Sequence, residues 1–187
     1  MKSSIKAIFS IMLALLLLTA VSIATLAGSA HAEKSTKALI ENAVSAAPQV
    51  ITQDATIKMM DGKVLREGTN GWNCYPETAI TGPMCNQAQW DKVLGALMKQ
   101  EPVTVNELSV SYMLAGEGDA IGVSNTDPFA PKPTNDNDWV KEGPHLMILV
   151  PDQALLEGLS TDTNDPVYVM WKGTPYAHIM VKVAAQK

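Results

Sequence analysis

The sequence predicts an α+β domain: a mainly antiparallel sheet with two short helices against one face and long disulfide-tethered loops. Three observations predict it. Two segments, near 36–47 and 88–100, repeat apolar residues at helical spacing. The other apolar segments are short, alternating or fully apolar, and bounded by Gly, Pro, Asn and Asp. The only two cysteines, Cys74 and Cys85, enclose part of the most broken stretch of the chain.

The chain opens with Lys2 and Lys6 ahead of an almost unbroken apolar run from Ala7 to Ala27, and then reaches Ala30-His31-Ala32. Positive, then apolar, then small residues at −3 and −1 is the order of a secretory signal. We expect residues 1–32 to be a signal peptide cleaved before Glu33, leaving 33–187 as a single globular domain. The competing reading is an uncleaved anchor, since about 20 apolar residues span a bilayer; the Ala-x-Ala ending favours removal. No cysteine near that point suggests lipid attachment. The expected location is periplasmic or secreted.

Composition narrows the partners. The formal charge of −5 becomes more negative when Lys2 and Lys6 leave, and Arg66 is the only arginine. A nucleic-acid binder must neutralise rows of phosphates with clustered basic residues, so nucleic acid is not expected. After signal cleavage no further apolar segment reaches spanning length, so no membrane partner is expected either. In an oxidising compartment Cys74 and Cys85 are expected to form a disulfide. The alternative, a redox or metal-binding thiol pair, lacks Cys-x-x-Cys spacing.

Taken in order, Thr36 to Ala47 places Leu39, Ile40, Ala43, Val44 and Ala47 on one helical face before Pro48. Ala55 to Met60 and Lys63 to Arg66 flank Asp61-Gly62, the signature of a hairpin turn with positive φ. From Gly68 to Cys85, Gly68, Gly71, Gly82, Pro76 and Pro83 leave no regular element. Asn86 is expected to cap a helix of about 13 residues with Ala88, Trp90, Val93, Leu94 and Leu97 recurring at helical spacing. Glu107 to Leu114 alternates and reads as a strand with Leu108, Val110 and Tyr112 or Met113 inward. Ala115 to Gly143 is a long loop, a length often functional or mobile; its segment 124–137 is expected at the surface, with Asp127-Pro128 opening a turn. Leu146 to Val150 reads as a buried strand. A helical turn follows from Pro151-Asp152, and strands at Val167 to Trp171 and Ala177 to Val183 close the chain.

Several motifs dissolve on inspection. Gly116-Glu117-Gly118-Asp119-Ala120-Ile121-Gly122 resembles a phosphate loop, but turn residues follow it where a helix must start. Asn135-Asp136-Asn137-Asp138 lacks the glycine and glutamate of a calcium loop and reads as a solvated acidic turn. There is no Gly-x-Ser-x-Gly elbow. His145 and His178 are the two histidines beyond the signal, so a histidine-dependent enzyme would take its base from them. No catalytic residue is assigned.

One doubled motif stands out: His145-Leu146-Met147 and His178-Ile179-Met180. On a strand, positions i and i+2 share a face, so each His-x-Met sets an imidazole beside a thioether. If the two strands neighbour each other in register, His145, Met147, His178 and Met180 form a soft-metal site suited to Cu(I), with Met84, Met170 and Trp171 nearby. The alternative is structural: methionine fills cores, and histidines at strand starts bond backbone carbonyls.

The motifs Asp61-Gly62-Lys63-Val64-Leu65-Arg66-Glu67-Gly68-Thr69-Asn70-Gly71-Trp72-Asn73-Cys74, Ser124-Asn125-Thr126-Asp127-Pro128-Phe129-Ala130 and Tyr168-Val169-Met170-Trp171-Lys172-Gly173-Thr174-Pro175-Tyr176-Ala177-His178, with Met84-Cys85 and Gln89-Trp90, carry a likeness. The chain resembles a family of exported bacterial proteins of uncharacterised function, from about Asp54 to Val183. The resemblance implies no activity, cofactor or site residue. The functional expectation is therefore an exported, non-catalytic binding or accessory domain for a small ligand or protein, contacting the Gly71 to Cys85 loop, the Ser124 to Trp139 loop and the histidines. The alternative is a small hydrolase using His178 or His145 as base with a carboxylate.

Overall fold

The computed structural model describes residues 36–183, so the expected signal peptide and its cleavage point lie outside the described residues. Helix α1 covers 36–44, and a one-turn helix α2, Gln49–Thr52, follows Pro48. Strands β1 (Thr56–Lys58) and β2 (Val64–Arg66) form the expected hairpin, with Gly62 at φ 90° in its turn. Then come β3 (Asn73–Tyr75), β4 (Met84–Asn86), α3 (Ala88–Lys99) and β5 (Ser109–Met113). The long connection carries its own two-stranded sheet, β6 (Val123–Ser124) with β7 (Trp139–Val140). Strand β8 (His145–Leu149), a 3₁₀ turn (Gln153–Leu156), β9 (Val167–Met170) and β10 (His178–Lys182) complete the chain.

Eight strands make one sheet in the order β2-β1-β3-β4-β5-β8-β10-β9, antiparallel throughout except where β1 runs parallel to β3. The α+β class, the mainly antiparallel sheet and the disulfide are all present. Cys74 and Cys85 are direct cross-strand partners on β3 and β4, bonded at 2.04 Å.

The pleat sorts the side chains into two sets. On one face lie Tyr75, Met84, Met113, Met147, Leu149, Tyr168, Met170 and Met180, covered by Trp90 and Val93 of α3. On the other face Ile57, Cys74 and Cys85 pack under Ala43, Ala46 and Ala47. Helices α1 and α3 therefore cover opposite faces, a correction to the expectation of two helices on one face. Both faces of the sheet are apolar, so each needs its own cover.

Three local expectations are also corrected. The 68–85 stretch holds β3 and β4, strands of three residues each and too short to show alternation. Asn86 does not cap α3: it sits on β4 with its Oδ1 accepting from Ser111 Oγ at 2.5 Å, and Gln87 occupies the cap position without a capping bond, its Oε1 accepting instead from the Val110 amide at 2.7 Å. In β5 the buried residues are Ser109, Ser111 and Met113, while Leu108 is 63% exposed. The Ser111 hydroxyl tolerates burial because Asn86 accepts its proton. At Asp127 the expected turn is formed, with Oδ1 accepting from the Phe129 amide at 2.9 Å.

Candidate functional site

Between α3 and the sheet lies a cavity of about 490 Å³. Its floor is Met147, Met170 and Met180 of the last strands, and its roof is Trp90, Val93, Leu94 and Leu97 of α3. Two loops close its sides: Thr78 to Thr81 from the disulfide-bracketed loop, and Val123 and Pro128 from the long connection. Polar groups are few, namely His178, Asn86, Glu117, Glu142 and the two threonines.

The turn between β9 and β10 positions His178. Trp171 adopts φ 57°, a left-handed conformation that costs a non-glycine residue about 1–2 kcal/mol. Anchoring compensates: its indole N–H donates to Ser124 O at 2.7 Å and its amide to Asn125 O at 2.8 Å. These two bonds fasten the long connection to the turn and hold the cavity wall in place. Tyr176 is tied by its hydroxyl to Glu101 O at 2.6 Å, just beyond the end of α3.

His178 itself is fully buried. Its Nδ1 lies 2.9 Å from Tyr176 O. A carbonyl only accepts, so Nδ1 carries the proton and Nε2 keeps a bare lone pair. That Nε2 has no hydrogen-bond partner. Trp90 and Trp171 meet the imidazole edge-on at ring centroid distances of 5.0 and 5.1 Å and fix its plane. Burial lowers the His178 pKa to about 4, outweighing the opposing effect of the Tyr176 carbonyl. The ring is neutral at pH 7.

His145 repeats the local pattern, with Nδ1 2.7 Å from Gly143 O and an unpartnered Nε2. Its surroundings differ. In the sheet it faces Met113 on one side and Lys182 on the other, and it does not border the cavity. Lys182 Nζ lies 3.2 Å from Glu142, which also accepts from the Tyr168 hydroxyl at 3.1 Å.

Strand register sets the four residues of the expected site in two places. Met147 and Met180 are direct partners across β8 and β10. The histidines stand at opposite ends of that strand pair: His145 faces Lys182, four residues beyond His178. Four residues at about 3.3 Å each separate them by roughly 13 Å along the strands. Of the two, only His178 borders the cavity. Met170 supplies a further thioether, since it faces His178 directly on β9.

Glu117 also borders the cavity. It lies in the glycine-rich stretch set aside as a phosphate loop, and its Oε2 accepts from the Gly82 amide at 2.7 Å. Burial raises its pKa more than that hydrogen bond lowers it. No short-range pattern marks it, because its partner is 35 residues away. Among the described residues no three His, Cys, Asp or Glu side chains converge in a way that would hold a metal ion. No family model, curated protein or solved structure matches this chain.

Proposed function

We propose that this chain is an exported, non-catalytic binding domain that takes its ligand into the cavity beneath α3. The observation that carries the reading is His178: a fully buried side chain that borders a cavity of about 490 Å³ and whose Nε2 has no partner. Small-ligand sites are apolar concavities of about 300–1,000 Å³ with a few placed polar groups. A buried polar atom left unsatisfied costs about 1–3 kcal/mol. A ligand that offers Nε2 a partner recovers that cost on binding.

Methionine walls suit such a role because the thioether side chain is unbranched and re-packs around its contents. The Cys74–Cys85 disulfide agrees with export to an oxidising compartment. A general base is usually oriented by a carboxylate and placed beside a nucleophile. Here carbonyl oxygens hold both Nδ1 atoms, and neither Nε2 meets a hydroxyl. That arrangement favours binding over hydrolysis.

The test uses an apolar fluorophore, 1-anilinonaphthalene-8-sulfonate. Native protein should take it up saturably with one equivalent, and Leu94→Trp, which fills the cavity from its roof, should abolish uptake without lowering the melting temperature. No saturable uptake by wild type, or equal uptake by the filled variant, removes the cavity as the site.

A further inference from the structure

We infer that the cavity's ligand is a monovalent soft cation, Cu(I), held by His178 Nε2 with thioethers of Met170, Met180 and Met147, and without His145. The inference rests on the cavity being the binding site and names what fills it.

Strand register brings the donors together. Met170 is the direct cross-strand partner of His178, and Met147 that of Met180. His178 and Met180 are two residues apart on one strand and share its buried face. Direct partners have Cβ atoms about 4.5–5.5 Å apart, within reach of a flexible thioether. All four side chains border the cavity. The imidazole is already prepared as a ligand: a metal-binding histidine characteristically donates its other ring N–H to a carbonyl or carboxylate, and Tyr176 O takes that role at 2.9 Å.

Donor chemistry selects the ion. Both cysteines are in the disulfide, so no thiolate is available from them. Among the described residues no three His, Cys, Asp or Glu side chains come together as the ligand set of a hard or borderline divalent ion would. What remains around His178 is neutral imidazole and neutral thioether, the soft set that Cu(I) prefers. Charge points the same way. The Born cost of burying an ion grows with the square of its charge, so a divalent ion would cost about four times as much in this apolar site.

His145 is left out by its place. It faces Lys182 at the far end of the β8–β10 pair and does not border the cavity, whereas the residue facing His178 on β9 is Met170, which does. The cavity exceeds an ion in volume, and its methionines close around one by rotamer change.

The experiment is an anaerobic titration of Cu(I) against a competing chelator, with Ag(I) as a redox-inert check, on protein purified from cells expressing the full chain. Trp90 and Trp171, at 5.0 and 5.1 Å from His178, report binding by quenching. One tight equivalent is expected. Met170→Leu and Met180→Leu, which conserve volume and fold, should together weaken it at least tenfold. His178→Gln should do so by more, and His145→Gln should change it less than twofold. Should His178→Gln fail to fold, the methionine pair decides. Wild type that does not compete with the chelator, a methionine pair that binds like wild type, a His145 variant as impaired as the His178 variant, or tighter binding of Zn(II) than Cu(I) each overturns the inference. Fluorophore uptake that persists without metal binding sinks this inference alone; loss of both sinks the cavity reading too.

Discussion

Burial of His178 predicts how the protein responds to acid. Its pKa is about 4 when folded, against an ordinary value of 6.5, because burial disfavours the imidazolium. Between those values the unfolded chain holds a proton that the folded one does not. Stability contributed by this residue is therefore complete above about pH 6.5 and is lost as pH falls toward 4, by about 3 kcal/mol in all. Burial lowers the His145 pKa too, which adds loss in the same direction. Urea unfolding between pH 7 and 4.5 should show this slope, and His178→Gln should flatten it; an unchanged slope would mean that the imidazole is not held neutral. The pairing of each histidine with a methionine was legible in the sequence, since strand periodicity alone puts i and i+2 on one face. The stagger that separates His145 from His178 was not. It is set by how β8 and β10 align after an intervening strand, and no residue in either His-x-Met encodes that. Met170 was legible only as a neighbour, and became a partner of His178 through the β9–β10 register.

At the level of elements, length decided what could be read. The hairpin at Asp61-Gly62, the helix carrying Trp90 and the apolar strand at 146–150 each have either a turn signature or enough residues to show a period. Strands β3 and β4 have three residues apiece, and glycine and proline around them hide the pairing. Strand β5 alternates clearly, yet its phase is the reverse of the one its apolar residues suggest: Ser109 and Ser111 point into the core, Ser111 donating to Asn86 and the Ser109 hydroxyl without a partner, while Leu108 stays outside. The disulfide links β3 to β4 on the face away from the cavity, among Ala43, Ala46 and Ile57. Closing that loop constrains the unfolded chain by about 3 kcal/mol. A Cys74→Ala, Cys85→Ala double variant should lose stability of that order in urea while keeping fluorophore uptake. Equal stability of variant and wild type would show that the strand pairing holds without the link.

On the scale of the whole molecule, one sheet serves two cores. Its α3 face holds the methionine-rich cavity, and its other face holds the alanine and disulfide cluster, with strands β3, β4 and β5 contributing to both. The class was legible because alternation and helical spacing report which residues share a face. Which helix covers which face was not, because both faces are apolar and the choice depends on where each connection crosses the sheet. A shared sheet has a mechanical consequence: neither core can loosen without disturbing the strand backbones on which the other rests. Ile57 is fully buried in the alanine and disulfide core, remote in sequence from every residue of the last three strands. Ile57→Ala should cost about 2–5 kcal/mol through the lost side chain and the void it leaves. In a Trp72→Phe background, which removes the tryptophan of that core, indole fluorescence is left to Trp90, Trp139 and Trp171. If the sheet couples the cores, the thermal transitions followed by fluorescence and by far-ultraviolet circular dichroism move down together and stay coincident. A fluorescence transition that holds its place while the dichroism transition falls would show two halves that melt independently, and the cavity would then owe nothing to the core behind it.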